Sequence, residues 1–328
     1  MIPAVMTAIA VQGDGRTPGS LVACERPTPQ PAAGEILIRV RAAGVNRPDV
    51  LQRRGLYPPP PGAPGTLGLE VAGEVVALGP DAPRWREGDL VTALLGGGGY
   101  AEYAAVDARH ALPVPPGLDM SEAAALPETV FTVWANVFER GALKRNETLL
   151  VHGATSGIGV AAIRMGKAAG ARVIATGRGP DKARAALALG ADVAVDSTAE
   201  DFADAVRREG GADVVLDMVG GDYAQRNLDC LKTDGRLVQI AFQAGARVEL
   251  NLAPVMMKRL TLTGSTLRAR PADEKARLAA AVERTVWPWI ESGRVRPIID
   301  ATFPLGEAAA AHARLEQGRH VGKIVLIP

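Results

Sequence analysis

The sequence predicts an α/β fold with two parts, an antiparallel, barrel-like β domain and a parallel, doubly wound sheet. Three observations support this fold class. Residues 1 to about 115 contain short strand-like runs separated by Gly and Pro, without long helices. From about residue 128, strand-like and helix-like segments alternate, which is typical of a parallel sheet. The C-terminal GKIVLIP is strand-like again, so the chain end can return to the first domain.

Apolar alternation defines the strands of the first domain. In EILIRVRAAG, Ile36, Ile38 and Val40 repeat with the two-residue period of a half-buried strand. GEVVALG, GDLVTALL and YAEYAAV have the same character. The run PPPPG at 58–62 predicts a stiff, extended segment.

The second domain alternates strands with helices. The predicted strands are TLLVHG, RVIATG, DVAVDS, ADVVLDMVG and GRLVQIAF, with helices between them. VELNL and RLTLTGST are β-rich and are expected to close this domain. The stretch PADEKARLAAAVERTVWPWIESG predicts further helix before the final strand.

Length and composition exclude several classes of protein. A chain of 328 residues forms one large or two ordinary domains. Its net charge of +1 offers no basic surface for nucleic acid or membrane. The N-terminus does not resemble a signal peptide, and no apolar run is long enough to span a bilayer. Cys24 and Cys230 have no metal or redox spacing. We therefore expect a cytoplasmic protein without nucleic-acid or membrane partners.

The loop HGATSGIG, residues 152–159, joins the first strand of the second domain to its first helix. Gly157 and Gly159 are expected to let the backbone turn tightly and approach a phosphate without a Cβ in the way. The free N–H groups and positive dipole end of the helix favour a dinucleotide pyrophosphate. We predict cofactor contacts from Ala154, Gly157, Ile158 and Gly159.

Two enzyme designs use such a loop, and the rest of the sequence separates them. Short-chain dehydrogenases place it near the N-terminus and need Tyr-x-x-x-Lys downstream, whereas the only downstream tyrosine, Tyr223, is followed by AQRN. The segments AAGVNRPDVLQRRGLYPPPPG, GLEVAGEVVALG, DMVGG and GKIVL, together with the loop, resemble the medium-chain dehydrogenase/reductase superfamily instead. Within it the chain is similar to the zinc-free quinone oxidoreductases, the group that includes zeta-crystallin.

This resemblance implies a domain organisation and an oligomeric state. Residues 1–127 and 267–328 would form a GroES-like catalytic domain, and residues 128–266 a Rossmann domain that binds NADP(H). In similar proteins the edge containing VELNL and RLTLTGST pairs with its copy in a second subunit. The resemblance therefore implies a homodimer, which would also cover an exposed sheet edge.

The ligands of a catalytic zinc are missing from the matching segments. Zinc alcohol dehydrogenases carry G-H-E-x-x-G where this chain has GLEVAG, so Leu69 replaces a zinc-binding His. The cysteine ligand near VNRPD and the four-cysteine lobe are also missing. Without a Lewis acid to hold an alkoxide, the favoured chemistry is reduction of an electrophilic quinone or α,β-unsaturated carbonyl. The resemblance implies the same reaction, with NAD(P)H as cofactor.

Two other functions remain open from the sequence. One is an enoyl-thioester reductase of the same superfamily. The other is a non-enzymatic cofactor-binding or RNA-binding protein, although the near-neutral charge disfavours RNA.

Asn46 and Tyr57 lie in the segment that faces the nicotinamide in similar enzymes, and they are the predicted catalytic residues. Tyr57 is expected to donate a hydrogen bond to a carbonyl oxygen that gains charge; its alternative is packing on the proline run. Asn46 is expected to bind substrate or ribose; its alternative is an Asx-turn. Asp49 is expected to cap the helix DVLQRRG rather than to take part in chemistry.

The resemblance implies further cofactor contacts outside the glycine loop. Thr132 is expected against the nicotinamide, with a hydrogen bond to a carbonyl one turn back as its alternative. Lys323 has the alternative of a solvated strand end. Arg268, Gly322 and Lys323 match family positions near the cofactor. Cofactor contacts are also expected from residues that follow strands of the second domain, beyond whose carboxyl ends a ligand lies, namely Val219, Gly220, Phe242 and Gln243.

Cofactor choice is predicted from the end of the second strand, in VIATGRGPDK. Thr176 and Gly177 stand where NAD-dependent enzymes place Asp or Glu. Arg178 and Lys182 follow at once, and their charges suit the 2′-phosphate of NADPH. Asp181 is expected in the first turn of the next helix, where its interaction with the helix dipole explains it. We therefore predict NADPH, contacted by Gly177, Arg178 and Lys182, unless Arg178 points into solvent.

Overall fold

The computed structural model describes residues 1–328, which form two compact units. Unit 1 contains Met1–Thr129, Arg268–Glu291 and Pro297–Pro328, and unit 2 contains Val130–Leu267 and Ser292–Arg296. The chain passes from one unit to the other after Thr129 and after Leu267, and Ser292–Arg296 groups with unit 2 although no sequence pattern separates it from its surroundings.

Fifteen strands and eleven α-helices make up the chain. The strands are β1 Val5–Val11, β2 Leu21–Pro27, β3 Glu35–Val45, β4 Glu70–Leu78, β5 Leu90–Leu94, β6 Tyr103–Asp107, β7 Ala111–Pro113, β8 Thr148–Val151, β9 Arg172–Gly177, β10 Val193–Asp196, β11 Ala212–Asp217, β12 Leu231–Gln239, β13 Thr261–Gly264, β14 Ile299–Pro304 and β15 Lys323–Ile327. The helices are α1 Arg47–Arg53, α2 Met120–Ala124, α3 Pro127–Val133, α4 Gly157–Ala168, α5 Pro180–Ala188, α6 Phe202–Arg208, α7 Tyr223–Cys230, α8 Ala253–Met257, α9 Ala272–Thr285, α10 Trp287–Glu291 and α11 Ala308–Gln317. A π-helical segment, Trp134–Arg140, follows α3.

Unit 1 is built on a mostly antiparallel sheet, as predicted. Its strand order is β14-β15-β3-β4-β5-β7, with β6 also paired to β3, and only β14 and β15 run parallel. Strand β3 is more buried than its alternation predicts, since Leu37 is as inaccessible as Ile36 and Ile38. Part of its second face is covered by α2, where Ala42 joins a buried cluster with Ala123. The predicted alternation is confirmed at Ile36, Ile38 and Val40, with Arg41 exposed on the other face, but that other face is also buried at Leu37 and near the end of the strand.

Unit 2 is a parallel six-stranded sheet with the order β10-β9-β8-β11-β12-β13. This is the doubly wound arrangement, with the order reversing between β8 and β11. The expected strand VELNL, residues 248–252, is not a strand. Strand β12 is already paired with β11 and β13, and the Asn251 side chain accepts a hydrogen bond from the Ala253 N–H at the start of α8.

The C-terminal strand belongs to unit 1, as its strand-like sequence predicts. Strand β15 pairs antiparallel with β3, placing Ile324 opposite Val45. Among the helices, none has both the length and the apolar character to cross a membrane.

Candidate active site

Three polar side chains meet inside unit 1, near the ends of the paired strands β3, β4 and β15. The Lys323 ammonium lies 2.5 Å from Asn46 Oδ1 and 2.6 Å from Glu70 Oε1. Asn46 Nδ2 donates to the same Glu70 oxygen at 2.9 Å, so the amide bridges cation and anion. Glu70 is inaccessible, Lys323 is 5% exposed and Asn46 is 7% exposed. A Cβ on Gly44 would lie 2.0 Å from Glu70 Oε1, so a glycine makes room for this carboxylate.

The cluster revises the interpretation of Lys323. The alternative of a solvated strand end is wrong, because its ammonium is buried and also donates to the Val45 carbonyl at 3.1 Å. Buried charges are tolerated when they are paired and hydrogen-bonded. With its ammonium shared among these acceptors, Lys323 fixes the orientation of Asn46. Asn46 is also the N-cap of α1 and forms a capping box with Asp49, so its contact with Lys323 accompanies a local role at the helix start and does not exclude the alternative Asx-turn.

Asp49 stabilises the start of α1, but not at the predicted position. The helix begins at Arg47 and Asn46 is the N-cap, so Asp49 lies within the first turn. Its carboxylate accepts from the Asn46 N–H at 2.8 Å and from the Gly68 N–H at 3.1 Å. Burial raises the pKa of Asp49 to about 6, although these hydrogen bonds oppose the shift. Asp49 therefore ties the Asn46 segment to the loop before β4.

A chain of hydrogen bonds continues from Asp49 to helix α11. The Tyr100 hydroxyl lies 3.1 Å from Asp49 Oδ2 and 3.0 Å from His312 Nε2. His312 Nδ1 lies 3.1 Å from Arg53 Nη1, and since a guanidinium can only donate, Nδ1 must accept. The hydrogen of neutral His312 is then on Nε2, which donates to Tyr100, and Tyr100 donates to Asp49. Burial, followed by the Arg53 charge, lowers the pKa of His312 to about 3.

Tyr57 lies beside a buried arginine. The Arg268 guanidinium carbon is 5.6 Å from the Tyr57 ring centroid, and Arg268 also donates to the Tyr57 carbonyl at 3.4 Å. Arg268 is 6% exposed, and its Nε donates to the Gly96 carbonyl at 2.8 Å. Tyr57 is half-buried, and its hydroxyl makes no hydrogen bond within the chain. Burial, followed by the charge of Glu128, raises the pKa of Tyr57, so the phenol stays protonated at neutral pH.

Two further predicted cofactor positions have clear local surroundings. Gly322 has φ +91, and a Cβ there would lie 2.2 Å from the Ile298 carbonyl oxygen, so this site requires glycine. Thr132 lies half-buried in α3 with a hydroxyl that makes no hydrogen bond within the chain. It is Thr129 whose hydroxyl bonds the Ala125 carbonyl at 3.0 Å, so the alternative proposed for Thr132 is wrong.

In unit 2 the glycine loop turns at a different glycine from the one predicted. Gly153 has φ +69, whereas Gly157 is already the first residue of α4. A Cβ on Gly159 would lie 2.3 Å from the Gly153 carbonyl oxygen, so Gly159 lets the helix start pack against the loop. The Ser156 hydroxyl caps the helix by accepting from the Gly159 N–H at 3.0 Å. Close packing at Gly159 and the turn at Gly153 together set the position of the helix N-terminus.

The other predicted residues of unit 2 gather at one edge of its sheet. The carboxyl ends of β9, β8, β11 and β12 are neighbours, and ligands of doubly wound sheets bind at this edge. The loops after β11 and β12 are joined, because the Ala244 N–H donates to the Val219 carbonyl at 2.8 Å. Gly220 has φ +66, and Phe242, which is 54% exposed, lies against it. Gln243 is exposed.

A buried hydrogen-bond network underlies these loops. His152, at the end of β8, has Nδ1 2.9 Å from the Thr176 hydroxyl and Nε2 2.8 Å from Asn227 Oδ1. Asn227 Nδ2 donates to Asp217 Oδ2 at 3.1 Å, and Asp217 Oδ1 accepts from the Val219 N–H at 2.6 Å. Burial lowers the pKa of His152, so the imidazole is neutral, donates to Asn227 and accepts from Thr176. The network connects the ends of three adjacent strands.

The predicted phosphate-binding residues follow β9 directly. Strand β9 ends at Gly177, Arg178 is exposed, and Lys182 is half-buried in the first turn of α5. Burial, followed by the charge of Arg178, lowers the pKa of Lys182, which shows that the positive charges of these two residues repel each other. Asp181 lies in the first turn of α5, as predicted, and pairs with Arg184.

Several functional candidates were missed because their sequence signals are weak. Glu70 belongs to the GLEVAG motif and Glu128 to an ordinary helix pattern, but only the tertiary fold brings them together, with the Glu128 N–H 2.8 Å from Glu70 Oε2. Asp196, at the end of β10, accepts from the Gly179 N–H at 2.8 Å and so holds the turn that carries Arg178. Asp196 lies opposite Gly177 because of the register between β10 and β9, and this register cannot be predicted from the sequence.

Leu69, which replaces a zinc-binding His in the matching motif, is 2% exposed. No group of three or more His, Cys, Asp or Glu side chains is arranged to hold a metal ion.

Comparison with known proteins gives consistent matches over nearly the whole chain. The family models Alcohol dehydrogenase GroES-like domain and Zinc-binding dehydrogenase match residues 32–116 and 189–326. A quinone oxidoreductase of Pseudomonas aeruginosa is 36% identical over 304 residues, covering 91% of this chain and 93% of the relative. The crystal structure of Escherichia coli quinone oxidoreductase complexed with NADPH has a TM-score of 0.88 and 30% identity, covering 98% of this chain and 100% of that one. Phthioceranic/hydroxyphthioceranic acid synthase of Mycobacterium bovis is 33% identical over 320 residues. The matched region covers 95% of this chain but only 15% of the synthase.

The GroES-like unit and the Rossmann sheet define an oxidoreductase of the medium-chain dehydrogenase/reductase class. Within that class, the chain belongs to the quinone oxidoreductase family. This assignment sets aside the non-enzymatic alternative.

Proposed function

We propose that this protein uses NADPH to reduce quinones or related α,β-unsaturated carbonyl compounds, without zinc. The main support for this proposal is that the Tyr57 hydroxyl is protonated and makes no hydrogen bond within the chain. Such a phenol donates a hydrogen bond to a carbonyl oxygen as that oxygen gains negative charge. Asn46, oriented by Lys323 and Glu70, lies at the start of the helix that precedes Tyr57 and helps to position this segment.

The backbone around the glycine loop suits a nicotinamide dinucleotide, which supplies the hydride when bound. Gly157 and Ile158 are the first two residues of α4, where backbone N–H groups have no partner within a helix. Their N–H groups and the dipole of this twelve-residue helix favour a pyrophosphate. The loops carrying Val219 and Phe242 follow strands at the same sheet edge, where the nicotinamide half of the cofactor is expected.

The choice of NADPH over NADH rests on the charges after β9. Arg178 and Lys182 interact unfavourably with each other, and a phosphate between them would relieve that repulsion. The strand-end residues Thr176 and Gly177 carry no carboxylate that would repel it. Asp196 is nearby, but its Oδ1 accepts from the Gly179 N–H and from Thr198.

An enoyl thioester is the second candidate substrate. The similarity to a region of Phthioceranic/hydroxyphthioceranic acid synthase extends over 95% of this chain. An α,β-unsaturated thioester has a carbonyl oxygen that would bind the Tyr57 hydroxyl in the same way as an enone. Only a direct comparison of acceptors separates the two substrate classes.

The same proposal includes a homodimer formed through unit 2. Strand β13 is the last strand of its sheet, and Leu262 on it is 41% exposed. Nearby in the sequence, Leu252, Met256 and Met257 are 62%, 78% and 67% exposed. An unpaired strand edge beside exposed apolar side chains favours association with a second copy.

Steady-state NADPH oxidation tests the proposed reaction. The acceptors are 1,4-benzoquinone, 9,10-phenanthrenequinone, a series of 2-enals and a 2-enoyl thioester, and zinc is measured in the same tag-free preparation. We expect turnover of quinones or enals, zinc far below one per chain and no inhibition by a chelator. Preference for the thioester would select the second candidate, and stoichiometric zinc with chelator-sensitive activity would reject the zinc-free mechanism.

A further inference from the structure

Arg268 is a buried cation that makes no salt bridge. It lies in unit 1, shortly before α9, and is 6% exposed. Its Nη2 is buried without a hydrogen-bond partner, and no carboxylate pairs with the guanidinium. Buried charges in proteins are usually paired, and a buried N–H without an acceptor is unfavourable. Stability alone therefore does not explain an arginine at this position.

The contacts that Arg268 does make connect two loops of unit 1. Its Nε donates to the Gly96 carbonyl at 2.8 Å, and its Nη1 donates to the Tyr57 carbonyl at 3.4 Å. Gly96 follows β5, whereas Tyr57 lies in the loop after α1. The guanidinium carbon is 5.6 Å from the Tyr57 ring centroid, which is within the range of a cation–π interaction. One side chain thus contacts both the backbone and the ring of Tyr57.

The glycine run Gly96–Gly99 makes room for this arrangement. Gly97 has φ +155, a conformation that favours glycine. A Cβ at Gly97 would lie 2.6 Å from the Pro64 carbonyl oxygen and 3.4 Å from Arg268 Nη2. Pro64 belongs to the same loop as Tyr57. A larger residue at Gly97 would therefore separate the loop from the glycine run to which Arg268 is bound.

Tyr57 has few other polar contacts that could fix its position. Its backbone makes no hydrogen bond to another backbone group, and its carbonyl is bound by Arg268. Pro58 restricts the backbone conformation of Tyr57, but it does not attach the loop to the rest of unit 1. Arg268 is therefore the polar contact that attaches Tyr57 to the remainder of the unit.

We propose that Arg268 is a positioning residue for Tyr57, holding the loop after α1 so that the Tyr57 hydroxyl meets the carbonyl oxygen of the acceptor. This inference rests on the proposed reduction of quinones or enones, in which Tyr57 donates a hydrogen bond. Burial raises the pKa of Tyr57, and the Arg268 charge acts against this shift. The cation thus also strengthens the hydroxyl as a donor, because it stabilises negative charge on the phenol oxygen.

A double-mutant cycle with Tyr57→Phe tests this role. Arg268→Met removes the guanidinium and keeps a long apolar side chain. It should lower kcat/KM for the quinone roughly tenfold, the combined effect of one cation–π contact and one hydrogen bond. In the Tyr57→Phe background the same substitution should change kcat/KM by less than about twofold. Phenylalanine keeps the ring and the backbone, so only the hydroxyl that Arg268 positions is missing.

Two further variants and two measurements complete the test. Arg268→Lys keeps the charge without the guanidinium fork and should recover only part of the loss. The matched control is Arg84→Met, because the Arg84 guanidinium carbon lies 4.7 Å from the Trp85 ring centroid in the same unit. It should keep the kcat/KM of its parent in both backgrounds. NADPH affinity, measured by fluorescence, should not change in any variant. The Tm of Arg268→Met should stay within a few degrees of wild type, because the removed cation has no ion-pair partner.

Several outcomes would overturn the proposal. An equal loss of kcat/KM in both backgrounds would show that Arg268 supports unit 1 without acting through Tyr57. A weaker affinity for NADPH would assign Arg268 to the cofactor, the role that its match to the family implies. Wild-type kcat/KM in Arg268→Met and Arg268→Lys would exclude any role in the reaction. If Arg268→Met does not fold, the cycle with Arg268→Lys decides between the same outcomes. Failure of wild type to reduce any quinone or enone would instead reject the proposed function, and this is seen without a variant.

Discussion

At the scale of single residues, Tyr57 tests the proposed reaction directly. Its hydroxyl has no partner within the chain, so Tyr57→Phe removes only the proposed bond to the acceptor. We expect kcat/KM to fall by about 5- to 150-fold, equivalent to about 1–3 kcal/mol, with NADPH affinity unchanged. The loss should be smaller for quinones of high potential, which need less stabilisation. Tyr103→Phe, on β6 of the same unit, is the matched control. Equal rates for Tyr57→Phe and wild type on every acceptor would assign Tyr57 to packing.

Arg178 tests the cofactor preference at the same scale. Because it is exposed directly after β9, Arg178→Ala should remove a phosphate contact without disturbing the sheet. Wild type should prefer NADPH over NADH by at least about tenfold in kcat/KM, a difference of about 1.4 kcal/mol. The variant should lose most of this preference while using NADH nearly as before. Arg184→Ala, an exposed arginine on α5 paired with Asp181, should keep it. Equal use of both cofactors by wild type would reject the preference.

Single residues also mark where sequence interpretation reaches its limit. The strand end at Gly177 and the position of Asp181 in the first turn of α5 depend on local patterns, and both lie where they were predicted. The role of Lys323 depends on Glu70, more than two hundred positions away, and their contact follows from strand pairing. Nothing local distinguishes a paired, buried lysine at a strand end from a solvated one.

At the scale of secondary-structure elements, the buried hydrogen-bond network at the proposed cofactor-binding edge of unit 2 leads to a separate prediction. Asn227 on α7 links His152 to Asp217, which holds the Val219 N–H. Asn227→Leu leaves buried polar groups without partners and should reduce the free energy of unfolding by about 1–3 kcal/mol. It should also raise KM for NADPH more than KM for the quinone, because the disturbed loop follows β11.

Denaturant unfolding and steady-state kinetics on Asn227→Leu measure these effects. Gln225→Leu, on the same helix, is the control, since Gln225 bonds the side chain of Asp229 outside this network. A loss of stability with no change in either KM would mean that the network supports the sheet without positioning the loop. A change in the quinone KM alone would contradict the assignment of this edge to the cofactor.

The elements differ in how far local sequence determines them. The strands β8 to β12 and helices α4 to α7 alternate as predicted, because the hydrophobic periodicity of each strand and each helix is visible within its own short stretch of sequence. VELNL has a strand-like composition yet lies outside the sheet, in which β12 already pairs with β11 and β13. Asn251 within it bonds the Ala253 N–H instead. Composition predicts the tendency to form a strand, whereas pairing decides whether it forms.

At the scale of the whole molecule, the exposed edge of unit 2 predicts how the chain associates. Strand β13 has one paired neighbour, and Leu262 on it is 41% exposed. Pairing of β13 with its copy would satisfy open backbone groups and remove apolar surface from water at once. Light scattering coupled to size-exclusion chromatography should therefore give about twice the chain mass of 34.2 kDa for wild type. Leu262→Lys places a charge at the centre of the proposed contact and should shift the mass toward 34.2 kDa without lowering Tm by more than a few degrees.

The control for this shift is Leu90→Lys, because Leu90 is a strand leucine with 50% exposure in unit 1. Both substitutions add the same charge to an exposed strand, so a general effect of lysine on association would appear equally in the two variants. Only an interface centred on β13 makes them differ, with Leu90→Lys keeping the dimer and Leu262→Lys losing it. A wild-type mass of 34.2 kDa at micromolar concentration would reject the dimer. A dimer that survives Leu262→Lys would place the interface on another surface.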